Sequence, residues 1–444
     1  MKNTAVIILY ICFFVNCSSN SNATLPKSTT SKPYKPKNVK IFSQQSKSTL
    51  GPCEPSICID PTNNSNIVAG SVLNYTHISN DGGITWKTKE LVSDFGVWGD
   101  PSIVTNRNGD FFYFHLSDPE GTNWKSTQIL DRIVMQKSTD KGVSWSKGTS
   151  IGLNKPKQQD KQWATVNPKN DDIYVTWTEF DKYGSPEKDH KSRILFSSSN
   201  NNGNSWSTPK AISTHEGDCM DDDFTTEGSV PASDGKNIYT AWSFDKKIWF
   251  NKSSDNGKTW LNNALAIADQ NSGWRFTVPG VNRINGFPVT SVDISKSKYK
   301  GTVYVNWSSQ NNPENTDVYI SKSVDQGKTW SNPIIVHKSS TDTHQFFNWM
   351  SVDPKTGYIY IVYYSQLQKD IFSLNVELAV SKDGAKTFKN YTISESPFDP
   401  RGSNFFGDYN NIDARNGIIR PIWTQTKDGL VSIWTALINE KDLN

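Results

Sequence analysis

Short apolar runs separated by Gly, Asp, Asn and Pro recur along this chain, and no segment shows a long run at helical spacing. Residues 349–394 illustrate the pattern with four runs in succession: WMSVDPKTG, YIYIVYYS, VELAVSKDG and KTFKNYTIS. Alternating or aromatic-rich runs with turn residues between them are typical of antiparallel strands. We therefore predict a repeating unit of four antiparallel strands.

The number of units follows from counting strands. Second strands begin near residues 66, 111, 173, 238, 303, 359 and 419, and first strands end near Asp60, Asn106, Asn167, Ser233, Asp293, Asp353 and Asp413. After residue 408 the chain supplies three strands, and the segment NVKIFSQ at 38–44 has no partner in its own neighbourhood. Pairing this segment with the last unit closes a ring and covers an exposed edge. The prediction is an all-β, seven-bladed β-propeller of four-stranded antiparallel blades, closed by an N-terminal strand, with a six-bladed ring as the alternative.

The turn between third and fourth strands carries a repeated motif. It reads SVDQGKTW at residue 323, with close copies at 79, 138 and 253 and degenerate copies at 199 and 381. The motif resembles the Asp box, or bacterial neuraminidase repeat, S-x-D-x-G-x-T-W, whose best-known carriers are the sialidases. The resemblance covers residues 38–438 and implies a propeller. Its Asp accepts turn hydrogen bonds, its Gly permits a positive φ and its Trp packs between blades, so the motif concerns the fold rather than the chemistry.

The resemblance does not extend to the sialidase active site. Sialidases of this family bind the sialic acid carboxylate with three arginines, the first in an Arg-Ile-Pro-like motif before the first Asp box. Here the first arginine is Arg107, after the first box. Sialidase catalytic domains are also six-bladed, against seven units counted here. The family's catalytic set is therefore not carried over to this chain.

The N-terminus has the pattern of an export signal. Lys2 precedes an apolar run from Ala5 to Val15 that is too short to span a bilayer. FVNC resembles a bacterial lipobox, which implies a signal peptide over 1–17 and lipidation at Cys17, with plain secretion as the alternative. Residues 18–37, rich in Ser, Thr, Asn, Lys and Pro, form a tether before a single propeller domain over 38–444. We expect an exported protein anchored to a bacterial outer membrane or cell surface by its lipid, or alternatively a periplasmic or secreted one.

Three cysteines remain after the signal, namely Cys53, Cys58 and Cys219. An odd count in an oxidising compartment allows one disulfide and one free thiol. Cys53 with Cys219 is the pair to test, and buried free thiols are the alternative.

Strand alternation assigns the long loops to one face. The Asp-box turns share a face with short first-to-second connections, and the opposite face, here called the loop face, carries the long ones. These span 93–101, 118–132, 152–163, 180–193, 213–228, 268–289, 338–349 and 395–409. Long loops on a rigid scaffold are where binding and catalysis concentrate.

Acidic residues precede the first strands on the loop face. Aligned on those strands, Glu54, Asp100 and Glu227 occupy one position, with Asp160 and Asp408 displaced by about one residue. We expect two of Asp100, Glu227 and Asp408 to supply the acid and the nucleophile or base of glycoside cleavage, and Glu54 and Asp160 to contact substrate. The alternative is that they cap backbone NH groups.

Further candidates lie on the same face. Arg275 and Arg283 suit a substrate carboxylate or sulfate, and His344 or Tyr409 could act as the base of a lyase. Trp163 and Trp349 are candidate stacking surfaces for sugar rings, or else packing residues. The loop HEGDCMDDDF loosely resembles a calcium loop without the spacing of an EF-hand, so we interpret it as solvated charge. We expect no metal site and no required cofactor, with calcium as an option.

The charge balance excludes one class of partner. Lys and Arg number 47 against 44 Asp and Glu, which gives no case for nucleic acid. We expect a monomer that degrades an extracellular anionic polysaccharide or glycan, as a glycoside hydrolase or a polysaccharide lyase. A non-catalytic glycan-binding surface lipoprotein and a protein-interaction scaffold are the alternatives.

Overall fold

The repeating four-strand pattern is present as seven four-stranded antiparallel sheets in a computed structural model, which describes residues 34–46, 50–338 and 343–443. Cys17, the signal peptide and most of the tether lie outside the described residues. In chain order the strands are β1 (Lys37–Ser43); blade 1, β2 (Ser56–Ile59), β3 (Ile67–Ser71), β4 (Tyr75–Ser79), β5 (Lys87–Glu90); blade 2, β6 (Ser102–Thr105), β7 (Phe111–Leu116), β8 (Ile133–Ser138), β9 (Thr149–Ile151); blade 3, β10 (Gln158–Val166), β11 (Ile173–Phe180), β12 (Ser192–Ser199), β13 (Lys210–Ala211); blade 4, β14 (Glu227–Ser233), β15 (Ile238–Phe244), β16 (Lys247–Ser253), β17 (Leu265–Asp269); a hairpin, β18 (Arg275–Val278), β19 (Val281–Asn285); blade 5, β20 (Val289–Val292), β21 (Val303–Asn312), β22 (Asn315–Ser323), β23 (Ile334–Ile335); blade 6, β24 (Gln345–Val352), β25 (Ile359–Leu367), β26 (Asp370–Ser381), β27 (Lys389–Thr392); and blade 7, β28 (Asn411–Arg415), β29 (Ile418–Lys427), β30 (Leu430–Asn439) with β1. Two short 3-10 helices, Asn123–Lys125 and Glu440–Asp442, complete the described elements.

The sheets form a closed ring. Each first strand contacts the first strands of both neighbouring blades, and β28 of blade 7 contacts β2 of blade 1. Strand β1 pairs antiparallel with β30 from Lys37 opposite Leu437 to Ser43 opposite Ser432. Buried Arg420 of blade 7 also donates to the carbonyl oxygen of Gly82 in blade 1 at 2.8 Å. The seven-bladed prediction and its closing strand are confirmed, and the six-bladed alternative is wrong.

The longest predicted loop contains regular structure that the loop prediction missed. Residues Arg275–Val278 and Val281–Asn285 form a two-stranded hairpin between blades 4 and 5. The sequence RFTVPGVNRIN alternates around Pro279 and Gly280, which is a hairpin signal in its own right. Phe276 and Ile284 pair on its buried face.

The repeated motif forms the same hydrogen-bonded turn in each of its six copies. In the copy at 323, Ser323 Oγ donates to Asp325 Oδ1 at 2.7 Å and accepts from the Gly327 NH at 2.7 Å. Asp325 also accepts from the NH and the hydroxyl of Thr329, at 2.9 and 2.6 Å. Two of these bonds recur in every other copy: the serine hydroxyl donates to the side chain at the third position, and the backbone NH at the fifth position donates to the serine oxygen. These copies start at Ser79, Ser138, Ser199, Ser253 and Ser381. The side chain at the third position of the motif is therefore hydrogen-bonded within the turn, as expected of a structural motif.

The end of the motif packs one blade on the next. Trp260 of blade 4 meets Phe196 of blade 3 edge-on at 5.0 Å between ring centroids, and Trp330 of blade 5 meets Phe250 of blade 4 at 4.9 Å. Gly257 has a φ of +82°, and a Cβ built there would lie 2.1 Å from the Phe196 ring. Only glycine therefore fits the turn against the preceding blade.

The three described cysteines, Cys53, Cys58 and Cys219, are free and buried. The structure thus has the buried thiols of the alternative and no Cys53–Cys219 disulfide. Within the described residues no helix is long and apolar enough to cross a membrane.

Candidate functional site

Three of the seven first strands contain a bulge near their N-terminal end. The pairing of first and second strands shifts between Asp160 and Trp163 in blade 3, and at the matching place in blades 4 and 6. The first bulged residue of blade 3, Lys161, has a φ of +51°. Glu54 and Asp100 have φ values of +49° and +51°. Non-glycine residues in this region carry strain of about 1–3 kcal/mol and concentrate at functional sites.

Hydrogen bonds between blades fix the true alignment. Ser56 Oγ accepts from the NH of Ile103, and Ser102 Oγ accepts from the NH of Ala164, one blade further on. Lys161 therefore occupies the position of Glu54 and Asp100. Glu227 aligns instead with Asp160 and Asp408, one residue earlier, because the bulge adds a residue that the sequence alignment did not count.

Lys161 is the centre of the acid cluster. Its ammonium group lies 3.0 Å from Asp408 Oδ2, 3.2 Å from Asp100 Oδ2 and 3.9 Å from Glu54 Oε1. Its backbone NH donates to Asp160 Oδ1 at 2.8 Å. All five residues are buried. A single buried cation from blade 3 thus joins acids from three other blades, and its backbone NH binds a fourth acid.

Arg283 extends the cluster toward solvent. It reaches from the hairpin with Nη1 2.9 Å from Asp221 Oδ2 and Nε 3.1 Å from Asp408 Oδ1. Asp221 also accepts the hydroxyl hydrogen of Tyr183 at 2.7 Å. The Arg283 side chain is 29% exposed, against 9% for Asp221 and 2% for Asp408. Arg283 is therefore the most accessible charge of this group.

The environment separates the acids into protonated and ionised groups. Burial raises the pKa of Asp160 to about 7 and raises the pKa values of Glu54 and Glu227 well above their ordinary range. Burial also opposes ionisation of Asp408, but the charges of Lys161 and Arg283 outweigh it and lower the Asp408 pKa. Carboxyl groups whose pKa values are pushed apart are the usual acid and base partners of an active site.

Glu227 is the most isolated of the acids. It is fully buried, and neither carboxyl oxygen has a hydrogen-bond partner among the described residues. Its neighbour Gly228 has a φ of +82°, and a Cβ there would lie 2.5 Å from the Phe287 ring. Because residue 228 is glycine, the Phe287 side chain, which follows the hairpin, can pack close to Glu227.

Three of the predicted site residues form an aromatic plug across the axis. The rings of Trp163, Trp349 and Tyr409 lie 5.6 to 5.9 Å apart and are at most 8% exposed. An axial cavity of about 310 Å³, lined by all seven first strands, includes both tryptophans but none of the cluster acids. The plug therefore separates this cavity from the acid cluster, and these rings are not exposed stacking surfaces.

A cleft on the loop face adjoins the cluster. It has a volume of about 500 Å³ and lies between residues 280–283 of the hairpin and the loop 400–407. Arg283 lines it and also contacts Asp408 and Asp221. Ligand cavities commonly have volumes of about 300 to 1,000 Å³. The cleft gives a ligand access to the guanidinium group while the acids stay buried.

Two predicted residues lie apart from the cluster. His344 is buried, its Nδ1 is 2.9 Å from the Thr316 hydroxyl, and burial lowers its pKa to about 4. Arg275 is exposed at the base of the hairpin, where its backbone NH bonds Asp223. Neither makes a hydrogen bond or ion pair to the cluster acids within the described part of the chain.

The acidic loop serves mainly as internal capping. Asp218 accepts from the NH of Met220 and the hydroxyl of Thr225, and Asp223 accepts from Arg275. Across the described ranges no group of three or more His, Cys, Asp or Glu is arranged to hold a metal ion.

Sequence reasoning missed three members of the site: Lys161, Asp221 and Tyr183. Lys161 follows Asp160 directly, but nothing in its residue type indicates a bulge with a positive φ. Asp221 lies in the acidic loop whose composition indicates solvated charge, and Tyr183 carries no sequence signal.

Comparison with known proteins adds little beyond the fold. No family model matches the chain, and no curated protein matches it. Among solved structures, the chain is similar to a Dyadobacter fermentans protein of unknown function, at 14% identity and a TM-score of 0.47, covering 76% of this chain and 94% of that one. It is also similar to the Hadza microbial sialidase Hz136, at 13% identity and a TM-score of 0.44, covering 85% and 73%. A variant of the NanB sialidase from Streptococcus pneumoniae matches at 11% identity and a TM-score of 0.47, covering 79% and 69%. Likeness at this level carries no conclusion about activity.

Proposed function

We propose that this protein is an exported, carbohydrate-active enzyme that cleaves glycosidic bonds of an anionic glycan on its loop face. The observation that carries the proposal is the cluster of buried carboxyl groups around Lys161, which Arg283 links to a cleft on the loop face. Glycoside cleavage needs one protonated and one ionised carboxyl group on either side of the bond.

Asp408 is the proposed ionised partner in this chemistry. Asp100 and Asp408 each place an oxygen within 3.2 Å of the Lys161 ammonium nitrogen. Lys161 and Arg283 lower the pKa of Asp408, so its carboxylate can stabilise a developing positive charge on the sugar.

Asp160 is the proposed proton donor. Its pKa of about 7, raised by burial, matches the operating pH of an acid catalyst near neutrality. Arg283 would bind the carboxylate or sulfate of the glycan from the adjoining cleft. Activity should then fall as the pH rises through about 7, because Asp160 loses the proton that it must donate.

A glycan-binding protein without catalysis is the second candidate. It is favoured by burial, since the acids Glu54, Asp100, Asp160, Glu227 and Asp408 are each no more than 8% exposed. A substrate would have to displace part of the loop face to reach them. In that case Arg283 and the cleft bind the glycan and the acid cluster only holds the ring together.

The test is incubation of the purified protein with alginate, polygalacturonate, hyaluronan and chondroitin sulfate. Reducing ends report hydrolysis and the ultraviolet absorbance of unsaturated uronate reports a lyase. We expect reducing ends from wild type and none from Asp160→Asn or Asp100→Asn, each assayed at a temperature where circular dichroism shows the variant to be folded. Asp171→Asn is the matched control, because Asp171 pairs with Arg107 in turns on the Asp-box face. Binding without either product would refute hydrolysis and support the second candidate.

Export and lipid attachment at Cys17 belong to the proposal and rest on the sequence of residues 1–17 alone. Membrane fractionation of the native protein and of Cys17→Ala tests them. A lipoprotein should move from the membrane pellet to the soluble fraction when Cys17 is replaced.

A further inference from the structure

A strip of three aromatic side chains lies on the loop face next to the acid cluster. Trp124 stacks on Tyr183 with centroids 5.5 Å apart and planes 27° from parallel, and Trp98 meets Trp124 edge-on at 5.9 Å. Trp98 precedes blade 2, Trp124 lies between β7 and β8, and Tyr183 lies between β11 and β12. The strip therefore bridges two blades on the face that carries the cleft.

The exposure of Trp124 needs an explanation. Its side chain is 56% exposed, and in the described part of the chain no other tryptophan is so accessible. Burying such a ring is worth about 1.5–3 kcal/mol or more, so holding it in water is unfavourable. Trp124 also contacts two half-buried aromatic rings, Trp98 and Tyr183, so the exposed indole belongs to a group of three rings.

The loop that presents Trp124 is fixed by its own hydrogen bonds. Asp118 accepts from the NH of Asn123 at 2.8 Å, and Asn123 has a φ of +51°. Glu120 accepts from the NH and the hydroxyl of Thr127 at 3.1 and 3.0 Å. The ring is thus held in place before any ligand arrives, which reduces the entropy lost on binding.

The strip connects directly to the charged site. Tyr183 stacks under Trp124 and donates its hydroxyl hydrogen to Asp221 at 2.7 Å. Asp221 in turn pairs with Arg283, which lines the cleft. Consecutive contacts therefore link the exposed indole of Trp124 to the guanidinium group of Arg283.

We propose that the strip of Trp98, Trp124 and Tyr183 is a stacking subsite for a sugar ring of an extended glycan chain, placed several units from the ring held at Arg283. The apolar C–H face of a pyranose fits a flat indole, and a polar rim of Thr122 and Lys125 suits its hydroxyl groups. The protein then takes polymers or long oligosaccharides rather than single terminal sugars. This inference rests on the proposed function for its choice of ligand.

The experiment measures affinity against chain length. Gel retardation in alginate, polygalacturonate, hyaluronan and chondroitin sulfate selects the polysaccharide, and calorimetry with its disaccharide and hexasaccharide follows. Wild type should bind the hexasaccharide more tightly, and Trp124→Ala should weaken hexasaccharide binding by about tenfold while leaving disaccharide binding unchanged. Trp124→Phe should retain most of the gain.

Val324→Ala is the control, because Val324 is 76% exposed in an Asp-box turn on the opposite face. Equal hexasaccharide affinity in wild type and Trp124→Ala would overturn the proposal, as would no retardation of wild type in any of the four gels. A change in self-association on size exclusion, without a change in glycan affinity, would assign the strip to a protein contact and also overturn it. Trp124-dependent binding without cleavage would refute hydrolysis but support the subsite.

Discussion

Replacing Lys161 by methionine separates the role of its charge from the role of its bulk. Methionine keeps an unbranched chain of similar length but leaves Asp408 and Asp100 without the cation 3.0 and 3.2 Å away. Removing one member of a buried ion pair typically costs about 3–5 kcal/mol. For a domain of this length that is about 3–5 °C in melting temperature, because unfolding entropy grows with residue number.

The loss should depend on pH in a defined direction. The lowered Asp408 pKa means that in wild type its carboxylate stabilises the fold above an unfolded value of about 3.9, and that this stability is lost only at lower pH. Without Lys161 the Asp408 pKa rises, so the folded variant binds a proton where the unfolded chain does not. Its stability then falls as the pH rises. The difference between wild type and variant should be largest near pH 8 and small near pH 4.

Denaturant unfolding followed by tryptophan fluorescence at pH 4, 6 and 8 measures this difference. Lys247→Met is the matched control, since Lys247 pairs with Asp269 at 2.8 Å but both side chains are largely exposed, at 44% and 73%. That change should cost at most about 1 kcal/mol. A double variant with Asp408→Asn should cost less than the two single changes added. An equal loss at pH 4 and pH 8 would show that Lys161 acts through packing and would refute the electrostatic account.

Three further changes test the fold and the site. Ser323→Ala should lower the free energy of unfolding by about 1–3 kcal/mol, because it removes a buried hydroxyl that makes two short hydrogen bonds. Val324→Ala, at the exposed neighbouring position, should be neutral. Equal losses in the two variants would contradict the role of the turn. Gly228→Ala should lower the melting temperature and the activity together, since its Cβ would lie 2.5 Å from the Phe287 ring; a fully stable variant would be inconsistent with the bulge geometry. Asp160→Asn should raise the free energy of unfolding, relative to wild type, more at pH 8 than at pH 4. The Asp160 pKa of about 7 means that wild type loses stability as the pH rises from about 4 to about 7, by at most about 4 kcal/mol, and the variant lacks this loss. A difference between variant and wild type that is the same at both pH values would argue against the raised pKa.

The architecture could be predicted from the sequence because each blade is formed by strands and turns that are close together along the chain. Alternating runs place second strands to within a residue or two of their observed starts at Ile67, Phe111, Ile173, Ile238, Val303, Ile359 and Ile418. The closing strand was also predictable, because the final unit is one strand short. The Asp-box turns then identified which face carries the long loops.

The site was less accessible to prediction because it depends on bulges and on distant contacts. Lys161 and Asp408 are 247 residues apart, and the backbone turn that brings them together uses a positive φ at a lysine. No residue type in the sequence signals that conformation, as a glycine would. Likewise Trp163 and Trp349 are typical sugar-stacking residues, and only the ring geometry shows that they pack against Tyr409 across the axis.

The closing strand has a consequence for handling and storage. Strand β1 contributes seven residues with one buried side chain, Ile41, and it lies at the edge of blade 7 with β30 as its single partner in the sheet. Few buried apolar contacts favour local opening, so β1 should detach before the inner strands of blade 7 when the protein is warmed. The uncovered edge of β30 would accept the same seven residues from a second molecule. Concentrated, partly unfolded samples should therefore yield strand-exchanged dimers, which dilution reverses slowly.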